Sequence, residues 1–290
     1  MDRHGLARLR PGMAGCALIL VVGAGCASST PDAVPAAESW PRMSTSDYLP
    51  GVAADVHLPP ADTDGPVPVV LLVPGGGWQS ADRTGLSPLA ARMADAGMLV
   101  VNATYRVGGA DAQFPLPVQD VICAADFAAE QARVNELDPG PLVVVGHSAG
   151  GHLAALAALG GDELAGQCPY RSTTIDGLVG LAGVYDVTSF GWLDEFFGVP
   201  QDQDPELWRR GDPLALVGSA AFPEDLQVLL LHGDADVTVP ISQSEAFAEA
   251  LAEAGVPVQF DVLPGITHDT VYTAEVAAEP LITWIGRLQP

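Results

Sequence analysis

Leu142-Val143-Val144-Val145-Gly146-His147-Ser148-Ala149-Gly150-Gly151-His152-Leu153-Ala154-Ala155-Leu156 is the stretch on which the fold turns. Four consecutive aliphatic residues read as a strand covered on both faces. The small, apolar run from Gly150 to Leu159 reads as a helix. Only a few residues separate the two, so the chain must turn sharply with Ser148 at the apex. Gly146, Gly150 and Gly151 remove the side chains that would block such a turn and tolerate strained dihedrals around it. The helix that follows points the positive end of its dipole at the serine.

Outward from this stretch, similar aliphatic runs recur at Val67 to Val73, Met98 to Val101, Leu178 to Ala182, Leu226 to Leu231 and Val258 to Leu263. Helical patterns lie between them at Pro88 to Ala96, Pro117 to Asn135, Ser242 to Ala254 and about Thr273 to Leu288. Alternation of buried strands with helices predicts a doubly wound, mostly parallel α/β sheet. Ala53 to Leu58 is expected to add an edge strand. No repeat or linker follows Ser46, so residues 47–290 are expected to form one domain.

The composition narrows the chemistry. The chain has 290 residues, 12 Lys+Arg against 36 Asp+Glu, and a formal net charge of −24. All the cations are arginines, which excludes Schiff-base chemistry on lysine and a P-loop lysine. The acidic field argues against a nucleic-acid partner.

The amino terminus carries Arg3, Arg8 and Arg10, then an apolar run from Met13 to Gly25, then Cys26. Charge followed by a short apolar run is the order of a secretory leader, and the run is too short to span a bilayer comfortably. Residues 1–25 are therefore expected to be a signal peptide and 26–46, rich in Ser, Pro and Ala, a flexible tether. Ala24-Gly25-Cys26 resembles a bacterial lipobox, with Gly23 where leucine is usual; lipidation of Cys26, and so membrane anchoring at the cell envelope, is one outcome, and plain cleavage with secretion the other. Cys123 and Cys168 then remain in the domain, as one disulfide or as two buried thiols. An exported chain favours the disulfide, which would close 45 residues and stabilise the fold by at most about 4 kcal/mol.

Gly146-x-Ser148-x-Gly150 between strand and helix resembles the nucleophile turn of the α/β-hydrolase fold, and Gly-His-Ser-Ala-Gly-Gly is similar to its esterase and lipase members. The resemblance implies an acid and a histidine on later strand ends, in that order. His232-Gly233-Asp234-Ala235-Asp236-Val237-Thr238-Val239-Pro240 resembles the family's acid-bearing loop and points to Asp236, with Asp234 as the competing carboxylate. His268, on the loop after Val258 to Leu263, is then the general base. His57, His147, His152 and His232 are read as structural, and His4 lies in the leader. The backbone N–H of Ala149 and those of Gly76 and Gly77 are the implied oxyanion donors. The latter lie in Pro74-Gly75-Gly76-Gly77-Trp78, which resembles the His-Gly-Gly-Gly loop of hormone-sensitive-lipase-like esterases, but Pro74 replaces an anchoring histidine. Asn102-Ala103-Thr104-Tyr105-Arg106 resembles the Asp-Tyr-Arg segment of the same esterases, with Arg106 read as structural and paired to Asp120 or Asp126.

The resemblance implies a serine hydrolase that cleaves carboxylic esters of short or medium acyl chains on a small-molecule substrate, with no metal or organic cofactor. Deacetylation, feruloyl ester cleavage and acylamide or peptide hydrolysis use the same parts. A non-catalytic envelope binding lipoprotein is the reading from another class. The 43 residues between Ala182 and Leu226 are too few for a large cap, but they hold Tyr185, Phe190, Trp192, Phe196, Phe197, Trp208 and Phe222. These rings either wall a pocket or pack short helices onto the sheet. Trp78, Phe190 and Trp192 are the candidates for contact with substrate.

Overall fold

Eight strands form one sheet in the order β1-β2-β4-β3-β5-β6-β7-β8, as seen in a computed structural model that describes residues 42–218, 223 and 225–288. The strands are β1 (Met43–Leu49), β2 (Val52–His57), β3 (Val67–Val73), β4 (Leu99–Ala103), β5 (Pro139–His147), β6 (Gly177–Leu181), β7 (Gln227–Gly233) and β8 (Val258–Leu263). From β4 to β8 all neighbours are parallel; β1 and β2 are antiparallel additions at one side. This is the doubly wound, mostly parallel α/β-hydrolase fold. The segment expected as leader, Cys26, the expected tether up to residue 41 and Phe222 lie outside the described residues.

The continuous aliphatic runs follow from covering both faces. Within β3 and β5, Leu71, Val73 and Val144 join the core under α2 (Leu116–Val134), α3 (Ala149–Leu164) and α7 (Ser242–Glu253). Their neighbours Val70, Leu72, Val143 and Val145 join a second core under α1 (Ser87–Asp95) and α8 (Ala274–Ile285). Alternate side chains of a strand point to opposite faces, so a strand buried on both faces has no polar position. Gly161, at φ 44°, interrupts α3 close to where the helical pattern ends in the sequence.

Two expectations need correction. The edge is β1, not β2, and β1 begins at Met43, inside the segment expected as tether. Five of its first residues are exposed, so it carries no hydrophobic period that a sequence reading could detect; it is held by its ladder to β2. The cysteine alternatives are resolved in favour of the disulfide: Cys123 in α2 is bonded to Cys168 in the segment after α3, with Cα atoms 5.5 Å apart.

The chain order places the site. From β3 the chain goes to β4 on one side, then returns through α2 to β5 on the other. The loops leaving β3 and β5 therefore diverge, and this switch point opens a crevice at the strands' carboxyl ends. The loops after β7 and β8 reach the same end of the sheet. Between β6 and β7, the described residues of 183–225 hold the short helices α4 (Asp194–Phe197), α5 (Pro205–Arg210) and α6 (Pro213–Val217) and a 3-10 turn at Val187–Ser189.

Candidate active site

Ser148 has φ 54°, a left-handed conformation that costs a non-glycine residue on the order of 1–3 kcal/mol. Two backbone bonds hold it there. Its N–H donates to the Leu181 carbonyl at the end of β6 (3.0 Å), and its own carbonyl accepts from His152 N–H (3.1 Å). The glycines are required by closeness: a Cβ on Gly146 would lie 2.2 Å from the Gly150 oxygen, and one on Gly150 would lie 2.3 Å from the Val73 oxygen. The turn is thus pressed against the end of β3, from which the glycine loop departs.

Asp236 and His268 meet across the loops after β7 and β8, with His268 Nδ1 2.7 Å from Asp236 Oδ2. The other carboxylate oxygen accepts from Thr238 N–H (2.8 Å) and Val239 N–H (2.9 Å). Burial pushes the Asp236 carboxyl up, but the hydrogen bonds from Val239, His268 and Thr238 together outweigh it and hold the pKa below the ordinary value. An ionised acceptor on Nδ1 fixes the tautomer, leaving Nε2 of His268 free to accept a proton. Asp234 turns elsewhere, its carboxylate accepting from Gly265 N–H at 2.6 Å. His232 lies behind Asp236. Its Nε2 is 3.0 Å from the Val239 carbonyl and 3.4 Å from Asp236, and its Nδ1 is 2.8 Å from Ser244 Oγ.

Ser148 and His268 line one cavity of about 410 Å³. No hydrogen bond joins Ser148 Oγ to His268 among the described residues; catalytic bonds of this kind are often loose before substrate binds. Ala149 opens α3, so its N–H has no acceptor one turn back. Gly75, Gly76, Gly77 and Trp78 also line the cavity. The Gly76 carbonyl is engaged by Gln79 and Ser80 N–H groups (3.1 Å each), and in a trans peptide the following N–H, that of Gly77, points the opposite way. Gly75 packs against Ser148: a Cβ there would be 3.0 Å from Ser148 Cβ.

The missing histidine anchor at Pro74 has substitutes. The Tyr105 hydroxyl lies 3.2 Å from the Pro74 carbonyl and 3.4 Å from that of Ser80, across the base of the loop. Trp78 donates its indole N–H to His152 Nδ1 (3.1 Å), and His152 Nε2 reaches the Gly211 carbonyl at 2.8 Å. Trp78 is only 5% exposed, so it ties the loop to α3 as well as lining the cavity. Burial pushes the His152 imidazole down to about 4, so it stays neutral and can accept from the indole. Tyr105 and His152 both lay in segments singled out in the sequence. Their contacts, 31 and 74 residues away in the chain, carried no local signal.

The aromatic excursion divides between the two readings given for it. Phe190 and Trp192 line the cavity, Trp192 being 55% exposed. Tyr185, Phe196, Phe197 and Trp208 are buried, with Tyr185 stacked on Phe247 and Phe197 on Trp208. Tyr272 completes the wall on the base side. Arg106 pairs with buried Asp120, whereas Asp126 accepts from Thr173 N–H.

Comparison with known proteins gives a consistent result. The BD-FAE family profile matches residues 54–251. The chain is 33% identical over 214 residues to Esterase LipQ of Mycobacterium tuberculosis, covering 69% of this chain and 50% of that protein. It is 29% identical over 258 residues to an ethyl acetate hydrolase of Pseudomonas putida, covering 81% and 77%. The propionate-bound esterase Est2 of Thermogutta terrifontis superposes with a TM-score of 0.66 at 26% identity, covering 86% of this chain and 97% of that one. The chain spans about half the length of several of the curated relatives it matches.

Proposed function

The chain belongs to the BD-FAE family, within the α/β-hydrolase superfamily, and from that premise we propose that it is a serine hydrolase cleaving carboxylic esters through an acyl-enzyme. The observation that carries the reading is the 2.7 Å bond from His268 to the ionised Asp236, in a cavity wall shared with Ser148 and the glycine loop. Ser148 Oγ attacks the ester carbonyl carbon as its proton passes to His268 Nε2. The oxyanion is held by the N–H of Ala149 and by those of Gly76 and Gly77, donors worth roughly 3–4 kcal/mol each in such enzymes. Collapse breaks the C–O bond, and the departing alcohol takes the proton from Nε2. Water then repeats the sequence on the acyl-enzyme and frees the acid.

Short to medium acyl groups fit this reading best. The cavity is walled by Phe190, Trp192 and Tyr272, and the relatives include an ethyl acetate hydrolase and a propionate-bound esterase. Among the described residues two carboxylates, Asp82 and Asp269, and no arginine line it, which favours neutral or cationic esters over those bearing a carboxylate. A fluorophosphonate probe should label the wild type and spare Ser148→Ala; an unlabelled, folded wild type would instead favour the binding-protein reading. In a 4-nitrophenyl ester series, butyrate should be cleaved faster than palmitate and faster than the hemisuccinate. A preference for palmitate would overturn the chain-length assignment, and a preference for the hemisuccinate the charge assignment.

Export with lipidation at Cys26 accompanies this proposal, supported by the order of charge, apolar run and cysteine and by a disulfide suited to an oxidising compartment. Intact mass of the mature amino terminus tests it. An unmodified Cys26, or an uncleaved leader, would refute it.

A further inference from the structure

His147 precedes Ser148, and its ring touches two separate loops, the one that carries His268 and Tyr272 and the one that carries Gly75. Its Nε2 is 3.0 Å from the backbone carbonyl oxygen of His268. Its ring centre lies 4.7 Å from that of His268 and 4.3 Å from that of Tyr272. On its other edge Gly75 packs so closely that a Cβ there would stand 2.7 Å from His147 Nδ1. A carbonyl can only accept, so the proton of this imidazole resides on Nε2. Burial, and then the neighbouring His268, push the ring down to about 3, so it is a neutral single donor at neutral pH.

The base loop is otherwise held away from the nucleophile. Gly265 N–H donates to Asp234, Ala235 N–H donates to the Ile266 carbonyl, and Thr267 and Thr270 bond to each other. These contacts fix the loop to the acid loop and to itself. The His147 bond reaches residue 268 from the nucleophile turn.

We propose that His147 is a positioning residue for the general base: by donating to the His268 carbonyl it sets the spacing between the nucleophile turn and the base loop. The imidazole of His268 can then reach Ser148 without releasing Asp236. This rests on the assignment of Ser148, Asp236 and His268 given above. A ring retained only for packing would affect stability and leave the base in place.

Two measurements separate these roles. In the wild type, nitrogen-15 shifts of His147 should report the Nε2–H tautomer; an Nδ1–H tautomer would overturn the proposal, whatever the enzyme's activity. Among variants, His147→Leu removes the donor and His147→Gln restores one. With 4-nitrophenyl butyrate, His147→Leu should lower kcat about 10- to 100-fold, with KM within about 3-fold, as expected for a misplaced catalytic group. It should also broaden or abolish the downfield proton signal of the Asp236–His268 bond, and His147→Gln should recover most of both. A folded His147→Leu with wild-type kcat and an unchanged downfield signal would sink the proposal, as would equal loss of kcat in both variants with the signal intact. If His147→Leu does not fold, the tautomer and the His147→Gln signal still decide. Failure of the functional reading looks different: fluorophosphonate would not label the wild type at all, while the tautomer would be unaffected.

Discussion

Asp234 and Asp236 stand two residues apart on one loop, yet only Asp236 meets His268. The Asp236 side chain is fully buried and accepts from two backbone N–H groups and from His268, which keeps it ionised and immobile. Asp234 is exposed and caps the Gly265 backbone. Asp236→Asn should therefore lower kcat by about 10⁴, because the amide can donate to Nδ1 and favour the wrong tautomer. Asp234→Asn should lower it by less than about 10-fold, since only a loop contact is weakened. Similar losses in the two variants, measured as kcat on one ester, would contradict the assignment. The motif resemblance ranked Asp236 ahead of Asp234. The deciding fact, which carboxylate is desolvated against His268, depends on a residue 32 positions away.

At the scale of elements, the strands β3 to β7 and the helices α1, α2, α3, α7 and α8 could be read from the sequence because burial on both faces leaves aliphatic runs between longer helical patterns, whereas β8, expected as another such run, lies at the far edge of the sheet, is interrupted by Gln259 and Asp261, and has no buried residue. β1 could not, since an exposed edge strand owes its conformation to the neighbour it pairs with. The glycine loop shows the same divide. Its glycines marked it, but the Tyr105 hydroxyl and the His152 imidazole that receives its Trp78 indole N–H come from two other places in the chain. The disulfide ties α2 to the segment after α3 and closes 45 residues. Replacing both cysteines by serine should reduce the unfolding free energy by up to about 4 kcal/mol in urea denaturation, with kcat little changed because the bridge is remote from the cavity lining. A loss confined to kcat would mean that the bridge acts on the site.

Across the whole molecule, burial of histidines gives stability a pH dependence. His147 and His152 are pushed down to about 3 and about 4, and burial also lowers His232. Below the unfolded value of about 6.5 the unfolded chain takes up protons that the native imidazoles refuse, so stability falls as pH drops from 6.5 toward 4. Each fully depressed histidine contributes a slope of at most about 1.4 kcal/mol per pH unit. Asp212 opposes this: burial raises it to about 6, so between the unfolded value and 6 the native state holds a proton that the unfolded chain has lost. With His57, which burial also lowers, four histidines against one raised carboxylate leave a net loss on acidification. Urea midpoints measured between pH 7.5 and 4.5 should fall, and His152→Gln should flatten part of that fall; a constant or rising midpoint would refute the account.

The sequence by itself determined the layered α/β architecture, the nucleophile turn and the chain order of the candidate groups. These follow from local patterns: unbroken aliphatic runs, glycines where a side chain cannot fit, and loops at strand ends. Only the tertiary structure decided which carboxylate faces the imidazole, what anchors a glycine loop that lacks its usual histidine, which aromatic rings wall the cavity and which fill the core, and that His147 reaches the base loop. Those outcomes depend on distances between residues tens of positions apart. Such distances are set by how the strands are ordered in the sheet, and no local pattern of residues encodes them.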